Sequence, residues 1–357
     1  MKKWFVWSQD ILSMFLVQLF VTGMQMLSKI ILNQGTFIFA LMTYRHVVAA
    51  FSVAPFAIFL ERGIISKLNL SVWFWLFINA LTGITAAMGL YYYGLRDTTA
   101  TYAINYLNLL PVITFVLSTI LRIEKLRLNS KEGKFKILGA ILCAGGAVTS
   151  SVYKGKSFDI FHNNLNTKLT ENVIPKAHWT RGSLLLVGSC LSYASWYMVQ
   201  VKLLKVFPFK YSATMFTCII AALQALVIGL CLHTDMPSWR LAWDLELITI
   251  FYSGTLATAA TFCLVSRAIA KRGPTYPPMF NPLSLIFVAV LDALLLGQDI
   301  TLGILLGSFL IIAGLYSFLW AKSKEFTQKN AQGEEALPTT LDKAIVISDV
   351  QLDSTNP

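Results

Sequence analysis

Three ionisable side chains stand inside apolar stretches of this 357-residue sequence: Lys29, Arg45 and Asp292. A charge held within a membrane-like run is costly, so it belongs beside a partner or a polar cavity. Lys29 and Asp292 lie near the ends of their runs, where a side chain can also snorkel to the interface. Arg45 is about nine residues in, roughly 13 Å at the helical rise, and snorkelling explains it less well. The chemistry this set offers is anion capture. Asp292 neutralises one cation and leaves the other for a substrate carboxylate, which a guanidinium can grip with two hydrogen bonds.

Amides and prolines extend the set. Asn105 and Asn108 are three apart and share a helical face, with Pro111 after them. Asn281-Pro282 follows Pro277-Pro278. Proline frees carbonyls that, inside a membrane, must find another partner or line a cavity, and interrupted helices mark transporter binding sites. Each Asn reads either as an interhelical hydrogen bond or as a ligand contact. His46 follows Arg45 and points about 100° away, as a core histidine or a proton-coupling group. Tyr91, Tyr92 and Tyr93 read as an interfacial belt rather than a stacking surface. Gln18, Gln25, Gln200 and Gln224 read as packing groups.

Other chemistries are excluded. No G-x-x-x-x-G-K-[ST] loop is present for ATP. The four His (46, 162, 178 and 233) sit at different levels, and no Ser/His/Asp or metal-ligating cluster exists. All five Cys (143, 190, 218, 231 and 263) fall in apolar runs and read as buried thiols. The chain reads as a non-enzyme without a cofactor. Its net charge of +11 lies in short connectors, which argues for a membrane and against nucleic acid.

The elements that must position these residues follow from composition. Of the residues, 56% are apolar and 13% charged, whereas a soluble domain carries about a quarter charged. Ten runs approach the roughly 20 residues that span a bilayer: 11–32, 37–60, 72–95, 101–121, 137–153, 183–201, 211–232, 247–266, 276–296 and 302–321. An all-α membrane protein with ten transmembrane helices is expected. The run after Met1-Lys2-Lys3 is too long for a signal peptide, holds Gln18 and Gln25, and reads as an uncleaved first span.

Counted by side, 20 of the 29 Lys and Arg fall at the N-terminus, in connectors after even-numbered spans and in the tail, and seven in the other connectors. Both termini are therefore expected in the cytoplasm. The densest patch, Arg122, Lys125, Arg127, Lys131, Lys134 and Lys136, reads as an anchor near anionic lipid, with a specific lipid or partner site as the alternative. Most Trp lie near span ends, as an interfacial belt requires; Trp196, well inside span six, is the exception.

The halves resemble each other. Lys29, Ala40, Met42 and Ala49 match Lys202, Ala213, Met215 and Ala222, each 173 residues on. Thr101-Tyr102 matches Thr275-Tyr276, and Leu138-Gly139 with Gly146 matches Leu306-Gly307 with Gly314. Five spans per half is an odd number, so the halves must be inverted, which is a transporter arrangement. The expected organisation is a first five-helix repeat over 11–153, a non-cytoplasmic connector over 154–182, a second repeat over 183–321 and a disordered cytoplasmic tail over 322–357. Glycines of spans five and ten read as scaffold or as the inter-subunit surface of a homodimer.

Longer motifs then carry a family likeness. Tyr44-Arg45-His46-Val47-Val48-Ala49 through Ala54-Pro55-Phe56, Asn108-Leu109-Leu110-Pro111-Val112-Ile113-Thr114-Phe115, Ala144-Gly145-Gly146 with Tyr153-Lys154-Gly155, and Asn281-Pro282-Leu283-Ser284-Leu285-Ile286 resemble the plant nodulin-like transporters. These are the Walls-Are-Thin-related proteins, with two EamA-type repeats in the drug/metabolite transporter superfamily. The resemblance covers about residues 10–321. It implies secondary transport of amino acids or an auxin-like weak organic acid, in the plasma membrane or the vacuolar membrane. The sequence departs from the pattern at Gln298, where the family has Glu, and at Asp292. A small-molecule substrate and membrane lipid are the expected partners. A channel-like facilitator and a non-transporting receptor remain the alternatives to a carrier.

Overall fold

The computed structural model describes residues 2–33, 36–61, 68–98, 106–123, 130–153, 157–158, 179–232, 239, 245–296 and 300–325. Among them the chain is helical almost throughout. Lipid offers no partner to a free backbone N–H or C=O, so a chain this apolar must satisfy its backbone within each segment. The helices are α1 (Lys2–Asn33), α2 (Ile38–Leu60), α3 (Leu70–Asp97), α4 (Leu110–Ile120), α5 (Lys131–Val152), α6 (Trp179–Val206), α7 (Lys210–Leu232), α8 (Leu245–Arg272), α9 (Leu283–Leu296) and α10 (Leu302–Glu325). A two-residue pairing, β1 (Ser157–Phe158) with β2 (Ile300–Thr301), is antiparallel.

Among the described residues seven helices are long and apolar enough to cross a membrane: α1, α2, α3, α6, α7, α8 and α10. α4 and α9 are shorter apolar helices, and α5 spans 22 residues. The helices run beyond several expected bounds. α1 begins nine residues earlier, α5 begins at Lys131, and α10 continues to Glu325, into the segment read as tail. Thr101-Tyr102 and Asn105 lie outside the described residues.

Two pairs of equivalent helices from the two halves pack antiparallel, α2 with α7 and α5 with α10. Phe56, late in α2, stacks on Tyr211 at the start of α7, while Gly229, late in α7, abuts Phe39 at the start of α2. Glu61, just past α2, accepts from the backbone N–H groups of Tyr211 (3.0 Å) and Ser212 (2.8 Å) and from the Ser212 hydroxyl (2.6 Å). It thus caps α7, satisfying N–H groups that have no partner within the helix and meeting the positive end of its dipole. α5 and α10 cross antiparallel through glycines. A Cβ on Gly139 would come 2.6 Å from the Gly314 carbonyl, and one on Gly146 2.7 Å from the Gly307 carbonyl. The glycine faces are therefore used within the chain, between α5 and α10.

α3 and α8 share a further feature. Each is interrupted by a stretch of wider, π-type turns, at Leu81–Ala86 and Ser253–Ala260. These begin 172 residues apart and so fall at the same place in each half. Each carries a glycine where another helix comes close: Gly83 faces Trp196 of α6, and Gly254 faces Val48 and the Arg45 carbonyl of α2. The Thr82 carbonyl accepts from Ser192 of α6 (2.8 Å). Such bulges reorganise the backbone bonding of a helix and concentrate at functional sites.

The α5–α10 crossing generates a test with an internal control. Gly146→Ala forces two backbones apart and should cost about 1–3 kcal/mol. Gly145→Ala meets nothing within 4 Å and should stay within about 0.5 kcal/mol. Thermal unfolding of the purified variants in detergent reads the difference; equal midpoints would contradict the close crossing.

Candidate substrate cavity

A cavity of about 160 Å³ lies where the two halves meet. α1 contributes Gln18, Met24, Gln25 and Ser28; α3 contributes Met88, Tyr91 and Tyr92; Asn108 precedes α4. From the second half, α6 gives Ser189, Tyr193, Trp196 and Tyr197, α8 gives Thr261 and Phe262, the turn into α9 gives Asn281, and α9 itself gives Ser284. The wall is apolar and aromatic with a few polar groups, the usual make-up of a small-molecule site.

The polar groups come from specific local structure. Asn108 sits in the turn that opens α4 before Pro111, and Asn281 in the turn before Pro282. The two positions are 173 residues apart, the spacing of the internal repeat, so each half supplies one amide at the same place. Asn281 accepts from Gln18 of α1 (3.2 Å), which ties the halves together. The Asn108 side-chain N, the Gln25 side-chain O and the Trp196 indole N–H are buried without a hydrogen-bond partner. An unpaired buried donor or acceptor costs about 1–3 kcal/mol, and a ligand with complementary groups would recover that cost.

Trp196 is placed by packing. A Cβ on Gly83 would overlap its indole, so the glycine in the wide turn of α3 admits the ring. Tyr197 at 4.9 Å, Phe262 at 5.4 Å and Tyr193 at 5.7 Å surround it.

Arg45 stands one side chain behind the wall. It is 1% exposed. Its guanidinium donates to the Tyr92 hydroxyl (3.4 Å), to the Met24 sulfur (3.4 Å) and to the Met88 sulfur, and all three residues line the cavity. Its Nε has no partner. Among the described residues no carboxylate lies within 4 Å of it. A buried cation whose hydrogen bonds among the described residues go to two thioethers and a phenol, with no carboxylate beside it, leaves a positive potential in the adjoining cavity.

Of the expected site residues, the structure brings Asn108 and Asn281 into the wall and Arg45 directly behind it. Asn105 lies outside the described residues, as do the side chains of Lys29 and Asp292, so the expected pairing with Asp292 falls there too. His46 is buried, and its Nδ1 lies 2.6 Å from the Met42 carbonyl. The Tyr91-Tyr92 pair lines the cavity rather than an outer belt, and Gln18 and Gln25 do more than pack. Trp196 is the main residue that sequence reasoning passed over. Its position deep in an otherwise apolar span, away from the other Trp, was the available signal.

The geometry can be set beside known proteins. The EamA-like transporter family model matches residues 9–152 and 180–320, one match on each half. Protein WALLS ARE THIN 1 of Arabidopsis thaliana is 35% identical over 324 residues, covering 88% of this chain and 83% of that protein. Two WAT1-related proteins of the same plant are 36% identical over 318 residues (88% and 82% covered) and 33% identical over 328 residues (89% and 82%). A solved crystal structure at 14% identity shares the fold, with a TM-score of 0.65 over 89% of this chain and 99% of that one. A cavity between two like halves, a family match on each half and relatives along nearly the whole length give one conclusion: the chain belongs to the EamA-like transporter family and is a multi-pass membrane protein of the drug/metabolite transporter type.

Proposed function

We propose that the protein is a secondary carrier of ten transmembrane helices, built as two inverted five-helix repeats over 11–153 and 183–321. It moves a small carboxylate-bearing metabolite by alternating access. In this reading 154–182 is a non-cytoplasmic connector, 322–357 is a cytoplasmic tail, both termini are cytoplasmic, and the plasma membrane is the home, with the vacuolar membrane as the alternative. The observation that carries the proposal is the cavity itself. Both halves wall it, polar groups within it lack partners, and a buried cation stands behind it.

Amino acids and auxin-like weak organic acids are the two substrate classes in view, and the wall favours the second. Among the described residues no Asp or Glu lines the cavity, so an ammonium would have only the weak attraction of aromatic faces to set against the repulsion of Arg45. A carboxylate meets Asn108, Trp196 and that same field, while Tyr91, Tyr193, Tyr197 and Phe262 offer rings for an aromatic body.

Reconstitution tests the proposal. Labelled amino acids and auxin-like acids are offered to proteoliposomes with and without a pH gradient, and counter-flow is measured. Uptake of a weak acid with counter-flow stimulation is the expected result. Uptake without it makes the protein a facilitator, and binding without flux makes it a receptor; either overturns the carrier. Two variants locate the site. A unit charge about 6 Å away, at an effective dielectric of about 20, contributes about 3 kcal/mol. Arg45→Ala should therefore raise KM about 100-fold at an unchanged reconstituted amount, with Arg45→Lys recovering part of the loss. Trp196→Phe keeps a ring but removes the N–H, and should raise KM by about 3- to 10-fold, as one lost hydrogen bond implies. Unchanged KM in both variants places the substrate elsewhere.

A further inference from the structure

Two ion pairs outside the cavity wall occupy equivalent places at opposite ends of the helix bundle. Asp10, early in α1, meets the end of α8. Its carboxylate accepts from Arg272 Nη2 (2.9 Å) and Nε (3.0 Å) and from Lys271 Nζ (3.3 Å). At the other end, Asp97 closes α3 and meets Arg181 at the start of α6, 3.5 Å apart. The repeat maps α3 onto α8 and α6 onto α1, so these are one joint built twice. The charges are exchanged: the acid ends α3 in one joint and starts α1 in the other. Neither pair was visible in the spacing of the sequence, since Asp10 and Arg272 are 262 residues apart.

The joints differ in tightness. The Asp10 and Arg272 side chains are each 4% exposed and make two hydrogen bonds. Arg181 is 60% exposed while Asp97 is only 9% exposed, and the buried Asp97 oxygen nearest Arg181 makes no hydrogen bond. Depth is alike on one helix of each joint and differs on the other. Val17, the first lining residue of α1, is seven residues beyond Asp10, about 10 Å, and Ser189, the first of α6, is eight beyond Arg181. Val265, the last lining residue of α8, is seven residues before Arg272, whereas Leu95 of α3 lines the cavity two residues from Asp97. Phe280 packs on Tyr276 (5.2 Å) at the Asp10 end. The Asp10 end is therefore the more deeply closed on its α8 side.

We propose that the two pairs are alternating latches. The Asp10–Arg272–Lys271 latch seals one mouth in the conformation seen here, and the Asp97–Arg181 latch tightens to seal the other mouth as the first opens. The physical basis is the environment of a charge pair. A buried pair that loses one partner leaves the other charge uncompensated, at a cost of several kcal/mol, whereas an exposed pair contributes about 0–1 kcal/mol. Exchanging burial between the pairs gives two states of comparable energy. The inference rests on the carrier reading, yet its test needs no substrate, so the two can fail separately.

The test reads access to the cavity from each face. Ser284, in the wall, is changed to Cys in the full chain. Labelling by a membrane-impermeant thiol reagent, above that of the chain without the change, is followed in vesicles of both orientations. Arg272→Gln should raise the labelling rate from the face carrying Asp10 at least threefold and lower it from the opposite face. Arg181→Gln should do the reverse. Exchanging the charges together, Asp10→Arg with Arg272→Asp, should restore the original sidedness, which separates latch loss from misfolding. Labelling that stays the same from both faces, or moves in one direction for both variants, overturns the proposal, as does a double exchange that behaves like the single change.

Discussion

The whole structure depends on helices of one half lying close and antiparallel against their counterparts from the other. Lipid gives apolar side chains no reason to leave it, so close approach has to come from shape and from polar contacts. The chain supplies both. Glycines at 139, 146, 307 and 314 let α5 and α10 touch backbone to backbone. Glu61 caps α7 from the end of α2, and Gln18 holds Asn281 across the halves. With these contacts in place, Gln25, Asn108 and Trp196 are left at the centre with unpartnered polar atoms, and that shortage is what makes the cavity a candidate site.

Much of this was legible in the residues. The apolar runs locate the helices because a membrane admits no other backbone, and the repeat offset of 173 places Asn108 over Asn281. Arg45 stood out because a charge deep in a span needs a reason. Its actual seat, behind Met24, Met88 and Tyr92, was not legible, because facing helices decide which side of a wall a side chain occupies. The role of Trp196 depends on Gly83 more than a hundred residues earlier, and on a wide turn that no local pattern announces. Asp10 fell outside the first expected span and so escaped notice as a membrane charge, though it is buried.

Arg45 also shows how placement changes chemistry. A guanidinium inside the cavity would bind a carboxylate with two hydrogen bonds and release it slowly. Set behind two sulfurs and a phenol, it acts through its field, which falls off gently with distance and does not demand one pose. The proposed carrier would need that compromise, since a substrate held too well in one state is not delivered in the next. The amides and the indole can then sort ligands by shape and hydrogen bonding while the cation sorts them by sign.

The cap that Glu61 places on α7 has a mechanical side. α2 and α7 are pinned together at one end by that carboxylate and by the Phe56–Tyr211 stack, and at the other by Gly229 against Phe39. A pair fixed at both ends cannot splay. In the carrier proposed above it would serve as an axle: rocking of the remaining helices would pivot about it, tilting the two mouths in opposition without opening this seam to a bulkier cargo.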